Sequence, residues 1–246
     1  NDLSVADKGT NDTKIKLTAS VDEITVRWLR LSSAYEIETI RFDDGFEADL
    51  PSYNAWLNGT SSNDLIAGNS SDNVLIGFAG NDDIDAGAGA DHAHGGAGAD
   101  TINGDGGNDL LHGGAGNDTV DGDGGNDILY GGDGLDTLWG DGGDDTFVFM
   151  DDSAFNDVDV IKDFDITTDE DVLNISDILS VNGYEDGVDT ITNWVEITTN
   201  GSDSEVRIDV TGSASFGAGT QIATLEGITG LTDEAALVTS GNLVVV

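Results

Sequence analysis

Aspartate returns at a fixed interval of nine residues through the middle of this chain: Asp64, Asp82, Asp91, Asp100, Asp109, Asp118, Asp127, Asp136 and Asp145, with Asn73 in the single gap. Each is preceded by a glycine-rich stretch, so that the better repeats read GGAGADTIN (Gly95 to Asn103) or GDGGNDLLH (Gly104 to His112). Glycine permits the positive φ angles needed by a sharp turn whose carbonyls gather inward. A carboxylate added to that ring of carbonyls completes an all-oxygen ligand set, which suits a hard cation.

The elements that must hold these carboxylates are legible in the same period. Two residues after each aspartate position stands Ile66, Leu75, Ile84, Ala93, Ile102, Leu111, Val120, Leu129, Leu138 or Phe147. All but Ala93 are bulky. Each nonapeptide from residue 59 to 148 therefore reads as a turn followed by a three-residue strand with its middle side chain inward. A disordered acidic linker would not place an apolar residue at one fixed phase.

A longer period lies inside the first. GGAG-type turns starting at Gly95, Gly113 and Gly131 alternate with GDGG-type turns starting at Gly104, Gly122 and Gly140, so the structural unit is a coil of eighteen residues. Coils stack at about 4.8 Å. One edge should then carry Asp64, Asp82, Asp100, Asp118 and Asp136, and the other Asn73, Asp91, Asp109, Asp127 and Asp145. Two carboxylates about 5 Å apart repel by roughly 3 kcal/mol at an effective dielectric near 20. Cations between stacked pairs reverse that sign, which makes folding and metal binding one equilibrium.

The pattern G-G-x-G-x-D-x-U-x, with U a large apolar residue, resembles the RTX (repeats-in-toxin) calcium-binding nonapeptide repeat. The resemblance implies an all-β fold, a calcium-bound parallel β-roll of about five coils flanked by β-rich capping segments. Counting adjacent pairs gives four sites on the first edge and three on the second, with a further one at Asn73 and Asp91. The expectation is thus about seven or eight Ca2+ ions in the repeats, with more possible in the flanks.

Forty-nine acidic residues stand against eight basic ones, and no Lys or Arg lies between Phe42 and Ile161. That balance argues against nucleic acid or an anionic membrane as partner. There are no cysteines, so calcium takes the place of cross-links. No apolar run approaches the ~18 residues of a membrane span, and the N-terminal NDLSVADKGT is neither basic nor apolar as a secretory signal would be. Weak calcium sites would stay empty in a cytosol, so an extracellular place reached without an N-terminal signal peptide is expected. The start at Asn1 suggests a fragment of a longer protein.

Three domains are expected: residues 1–57, 58–148 and 149–246. The first reads as short strands at Lys14 to Ala19, Glu23 to Leu29 and Ile37 to Phe42. Trp28 followed by I-x-x-I-x-F-x-D-G at Ile37 to Gly45 resembles a haemolysin-type calcium-binding-related segment, and its expected role is to cap the open first coil. Beyond Phe149, strands are expected at Val158 to Phe164, Asp171 to Leu179, Trp194 to Thr198, Glu205 to Val210, Gln221 to Leu231 and Leu243 to Val246, with a helix at Asp233 to Val238. The succession DTFVF, DVIKDFD, DVLNISDIL, WVEI, IATLEGI and NLVVV is similar to the C-terminal target domain of type I secreted repeat proteins. That resemblance implies an ABC transporter complex as partner and export of the C-terminus first, unfolded.

His92, His94 and His112 fall on outward strand positions of one face, which raises a transition-metal site as an alternative to an exposed strip. The strip continues through Leu110, Ile128, Tyr130 and Val148, and its apolar character predicts cover by a terminal segment. No serine sits in G-x-S-x-G, and H-E-x-x-H and Walker motifs are absent, so no enzyme activity is expected. The leading expectation is a folding and secretion module at the C-terminus of a large secreted or surface protein, an adhesin, acting as a monomer. The rivals are a module binding a glycan or ice, and the accessory domain of a secreted hydrolase or epimerase. Ice binding on the turn edge would fill the third position of each nonapeptide with threonine. Ser61, Ser70, Ala79, Ala88, Ala97, Gly106, Ala115, Gly124, Asp133 and Gly142 stand there instead.

Overall fold

A computed structural model describes residues 58–150, 157–184, 191–210, 219–231 and 233–245, together with the backbone of the strands that precede them. Two long sheets face each other. The eight-stranded one contains Ala55–Asn58, Asn73–Ala79, His92–Ala97, Leu110–Ala115, Ile128–Asp133, Thr146–Val148, Val172–Asn174 and Leu243–Val244. The nine-stranded one contains Leu65–Asn69, Asp83–Gly87, Thr101–Asn103, Thr119–Asp121, Thr137–Trp139, Asp159–Ile161 and Thr220–Leu225, ending in Asp203–Ile208 and Val195–Asn200. Successive strands of the chain alternate between the sheets, and within the repeats all pairing is parallel at an offset of eighteen residues, as in Ile84 with Ile102 and Ile102 with Val120. This is a parallel β-roll of about five coils.

The inward residues form the expected column. Leu75, Ile84, Ala93, Ile102, Leu111, Val120, Leu129 and Phe147 have no solvent exposure, Leu138 has 1 % and Ile66 6 %. Each large side chain so buried contributes about 1.5–3 kcal/mol relative to exposure. Ala93 contributes least.

The glycines allow coils to approach more closely than any side chain would permit. At Gly107 φ is +152°, and a Cβ there would lie inside the contact distance of the Gly89 carbonyl in the coil below. The two turn types differ in their backbone. In GDGG turns the second residue, Asp105, Asp123 or Asp141, takes a left-handed φ of 63°, 61° or 57°. In the other turns after the first coil glycine takes that place, except at Phe78, whose φ is 75°, while Thr60 and Asn69 in the first coil do not take a positive φ.

Both sheets run on past the last repeat. Asp159–Ile161 pairs parallel with Thr137–Trp139, and Val172–Asn174 pairs with Thr146–Val148. Thr220–Leu225 and Leu243–Val244 add one more parallel strand to each sheet, and an antiparallel hairpin, Val195–Asn200 with Asp203–Ile208, closes the nine-stranded edge. This end has a broader core: Phe147 packs on Phe164 at 6.1 Å between ring centroids, and Tyr184 meets Trp194 edge-on at 5.8 Å.

The strand expected over Asp171 to Leu179 stops at Asn174, and Ser176–Asn182 is a helix. Its apolar residues explain the change, since Ile175, Ile178 and Leu179 recur at helical spacing and all are buried. Gly183 ends it in a left-handed C-cap with φ 95°. The helix expected near Asp233 is Glu234–Ser240, capped by the Asp233 side chain on the Ala236 N–H.

In the N-terminal segment the strands are Ser4–Ala6, Asp12–Lys16, Thr25–Ser32, Ala34–Arg41 and Glu47–Asp49, joined as one antiparallel sheet. The side chains of the Trp28 and Ile37 to Gly45 motif lie outside the described residues.

Candidate metal centre

The strand register fixes where each aspartate stands, because every one of them immediately precedes the strand that carries its inward apolar residue. The two columns form as the eighteen-residue alternation requires. In each, the Oδ1 of one residue accepts the backbone N–H of its counterpart in the coil before: Asp82 from Asp64 at 2.8 Å, Asp100 from Asp82 at 2.7 Å, Asp118 from Asp100 at 2.7 Å and Asp136 from Asp118 at 2.8 Å. On the other edge Asp91 accepts from Asn73 at 2.6 Å, Asp109 from Asp91 at 2.7 Å, Asp127 from Asp109 at 2.8 Å and Asp145 from Asp127 at 2.8 Å.

The second oxygen is the informative one. From Asp82 to Asp145, all eight of these aspartates are at most 2 % exposed, and the Oδ2 of each is buried with no hydrogen-bond partner. A buried carboxylate oxygen left in this way costs several kcal/mol unless a cation meets it. Carbonyls crowd the same spot. A Cβ placed on Gly95 would lie 2.5 Å from Asp100 Oδ2 and 2.6 Å from the Gly113 carbonyl oxygen; on Gly104, 2.7 Å from Asp109 Oδ2 and 2.8 Å from the Gly122 oxygen. At Gly95 and Gly104, as at Gly77, Gly113 and Gly122, the first glycine of the turn thus leaves open a cradle lined by a carboxylate and a carbonyl of the next coil, whereas Ala86 takes that place before Asp91. An all-oxygen cradle with an anionic member fits Ca2+ and does not favour a softer metal.

The proton affinity of the columns tells the same story. Burial, set against one backbone hydrogen bond each and raised further by stacked neighbours, pushes Asp118 up to about 8 and Asp109 and Asp145 up to about 7. Asp91, Asp100, Asp127 and Asp136 rise to about 6, again through burial first. Lys162 and Arg207 are the only basic residues after Arg41, so nearly all compensation must come from protons or added cations.

The first coil differs. Asp64 is only half-buried, and its Oδ2 accepts both the Thr60 N–H at 2.6 Å and the Thr60 hydroxyl at 2.8 Å. Asn73 is fully buried and its Oδ1 accepts the Asn69 N–H at 2.8 Å. These two positions stand in the columns as expected, but their own turns engage one oxygen of each, and the Asn73 Nδ2 is left buried without a partner among the described residues.

Two further carboxylates continue the columns. Asp159 Oδ1 accepts the Asp136 N–H at 3.0 Å, and Asp171 Oδ1 accepts the Asp145 N–H at 3.0 Å. Sequence reading missed both because their spacings are 23 and 26 residues and no glycine turn precedes them. The signal was the triplet itself, aspartate–any–apolar, in Asp159-Val160-Ile161 and Asp171-Val172-Leu173. A separate acidic group, Asp121, Asp123 and Asp141, lies on the GDGG edge with carboxylate oxygens within 4.8 Å of one another.

The histidines occupy outward positions as expected. His94 and His112 stack at 4.7 Å with an 11° tilt, and His112 stacks on Tyr130 at 5.2 Å. They are buried, as are the outward Val74 and Ile76, so this end of the strip is covered. Among the described residues, no His joins a cluster of three metal-ligating side chains.

Stacked coils, two oxygen-lined columns and a shared apolar core define a repeat protein with sites suited to hard cations. Four stretches, residues 58–93, 86–120, 94–129 and 121–152, match the RTX calcium-binding nonapeptide repeat, so this central block is made of repeats of that kind. Such repeats are calcium-binding modules of secreted proteins. Among the described residues no helix is long and apolar enough to cross a membrane.

Three solved structures are similar in part. The AlgE6R3 subunit of the Azotobacter vinelandii mannuronan C5-epimerase shares 22% identity over 76% of this chain and 80% of that one, with a TM-score of 0.34. The AlgE6R2 subunit of that epimerase shares 23% over 73% and 91%, with a TM-score of 0.33. The extracellular lipase LipA from Serratia marcescens shares 19% over 76% of this chain and 39% of its own, with a TM-score of 0.29. No curated protein sequence matches the chain.

Proposed function

We propose that this chain is a calcium-triggered folding and export module at the C-terminus of a large secreted or cell-surface protein, an adhesin. One observation carries the trigger: eight buried carboxylate oxygens in two columns have no hydrogen-bond partner among the described residues. Without cations the columns repel and the coils separate. With calcium at the millimolar level typical of extracellular sites, whose Kd lies near 10⁻⁴ to 10⁻³ M, the same oxygens become ligands and the roll closes. Asp82, Asp100, Asp118 and Asp136 on one edge and Asp91, Asp109, Asp127 and Asp145 on the other are the proposed ligands, with Asp64 and Asn73 at the start of each column. About seven or eight ions would fill the repeats.

A chain of this kind stays open in a calcium-poor cytosol and can pass a type I ABC transporter complex as an extended thread. The export reading is supported by the motif order after Asp145, and the trigger explains how a fold this regular could be kept from forming too early. The adhesin reading rests on the same resemblance. The test of the whole is export: in cells carrying a type I system, the full chain should reach the medium and a chain lacking residues 149–246 should stay inside. Equal export of both would contradict the proposal.

A further inference from the structure

The repeat pattern ends at Asp145 on one column and at Asp136 on the other, yet the structure does not treat the two ends alike. Asp171, above Asp145, has both oxygens engaged: Oδ1 accepts the Asp145 N–H at 3.0 Å and Oδ2 accepts the Asp165 N–H at 2.8 Å. Two charge-assisted hydrogen bonds from backbone satisfy this carboxylate within the protein. It closes its column as a plug made of chain.

Asp159, above Asp136, is built differently. Its Oδ1 accepts the Asp136 N–H at 3.0 Å, the relation that joins every pair lower in the column, and Val160 stands in register with Thr137 as Thr137 does with Thr119. Asp159 is 6 % exposed and Asp136 is 1 % exposed. The Oδ2 of Asp136 is buried without a partner, on the inner side of its own turn beside Gly131. Among the described residues, none donates a hydrogen bond to the Oδ2 of Asp159. Among the described residues, two buried carboxylates therefore stand one above the other, with the Oδ2 of Asp136 buried and unmatched and no basic side chain bonded to either.

We propose that Asp136 and Asp159 hold one more divalent cation, Ca2+, between the last repeat coil and the segment that follows the repeats. This rests on the calcium reading of the columns and extends it beyond the nonapeptide pattern, to a carboxylate that the nine-residue period does not reach. The ion has a distinct role. Asp159–Ile161 is the strand through which Thr220–Leu225, and behind it the hairpin of Val195–Asn200 and Asp203–Ile208, join the nine-stranded sheet. A cation at Asp159 clamps that assembly onto the roll. The other column needs no such clamp, because Asp171 is tied by backbone N–H groups.

The test counts calcium ions bound by the full chain at saturation, by native mass spectrometry, for the wild type, Asp159→Asn and Asp171→Asn. The proposal expects one ion fewer for Asp159→Asn and an unchanged count for Asp171→Asn. It also expects amides of Ile161, Thr224 and Leu225 in Asp159→Asn to need at least tenfold more calcium for the same protection from hydrogen exchange. Equal counts for the wild type and Asp159→Asn overturn the proposal. A wild type that binds no calcium overturns the reading beneath it instead. If Asp159→Asn does not fold, wild-type crystals grown with Sr2+ decide the matter: an anomalous peak between Asp136 and Asp159 supports the clamp, and peaks between lower pairs with none here reject it.

Discussion

The repeat block and the segment that follows it share two sheets and one apolar core, but they hold those sheets together by different means. In the repeats each coil offers the core one apolar side chain per strand, and the carboxylates beside it are buried with one oxygen unmatched. Beyond residue 157 the core gains Phe164, Ile175, Ile178, Leu179, Trp194, Val206, Ile222 and Leu225, and several buried polar groups find partners in the chain, although Arg207 Nε finds none among the described residues. Glu234 accepts the Ile197 N–H at 2.7 Å, and the Asn242 amide donates to the Asp171 carbonyl at 2.7 Å. Identical strand pairing can thus be stabilised by added cations in one stretch and by ordinary packing in the next. On the calcium reading the first can be switched by solvent composition; the second, apart from the proposed ion at Asp159, cannot.

Backbone substitutions should separate the two regions most strongly. Gly107→Ala places a Cβ inside the contact distance of the Gly89 carbonyl, at a φ of +152°. It should abolish the calcium-induced gain of β circular dichroism, since neither backbone can yield without parting the coils. Gly201→Ala, at a φ of +73° in the C-terminal hairpin, meets nothing within 4 Å. It should cost only about 1–2 kcal/mol, the strain of a left-handed residue. Comparable losses at both positions would show that close coil contact is not what sets the repeats apart.

Acid should narrow the difference. Asp118 and Asp159 are pushed up to about 8, and Asp109 and Asp145 to about 7, by burial and then by stacked charge. Their unfolded value is near 3.9, so the folded state binds protons more tightly. This contribution to the calcium-free fold is complete below about pH 4 and is lost as pH rises through about 6 to 8. Calcium competes with those protons. In EGTA the chain should therefore show more β structure near pH 5 than near pH 8, while the calcium needed for half-folding should rise as pH falls. Calcium-free β content that does not change with pH would deny the columns their part in stability.

A smaller and more uniform effect is expected in the shared core. Ile102→Ala should destabilise the calcium-bound chain by about 2–5 kcal/mol, and Leu225→Ala by a similar amount, because both side chains are wholly or almost wholly buried. Chemical denaturation at saturating calcium would measure both. A much smaller loss at Ile102 would mean that metal, and not the apolar column, supplies the cohesion of the repeats.

The sequence was most informative where one physical constraint repeats. Eighteen-residue stacking forces each apolar residue from Ile66 to Phe147 into one column and each aspartate onto one of two edges, so a single period encoded both core and site. Legibility failed where the constraint was met in another way. Asp159 and Asp171 occupy the same places in the coil with no glycine turn to announce them, because longer connections replace the six-residue turn. Ser176 to Leu179 looked like strand because its apolar residues are dense, but their spacing of three and four suits the helix that forms. At Asp64 and Asn73 the difference lies with neighbours, Thr60 and Asn69, whose N–H groups occupy the acceptor within the turn. Both turns depart from the glycine pattern of the later ones, with Thr60 and Asn69 at the second position and Ser61, Ser62, Ser70 and Ser71 after them.

The most direct test of the account is amide hydrogen exchange on the full chain at neutral pH, with millimolar calcium and then with excess EGTA. With calcium, strand amides from Ile84 to Leu138 should be protected as a block. On chelation that protection should vanish along the whole block, together with the β circular dichroism, because all eight unmatched oxygens lose their cations at once. Protection of Ile102, Val120 and Leu129 that persists unchanged in EGTA would contradict the claim that calcium closes the roll.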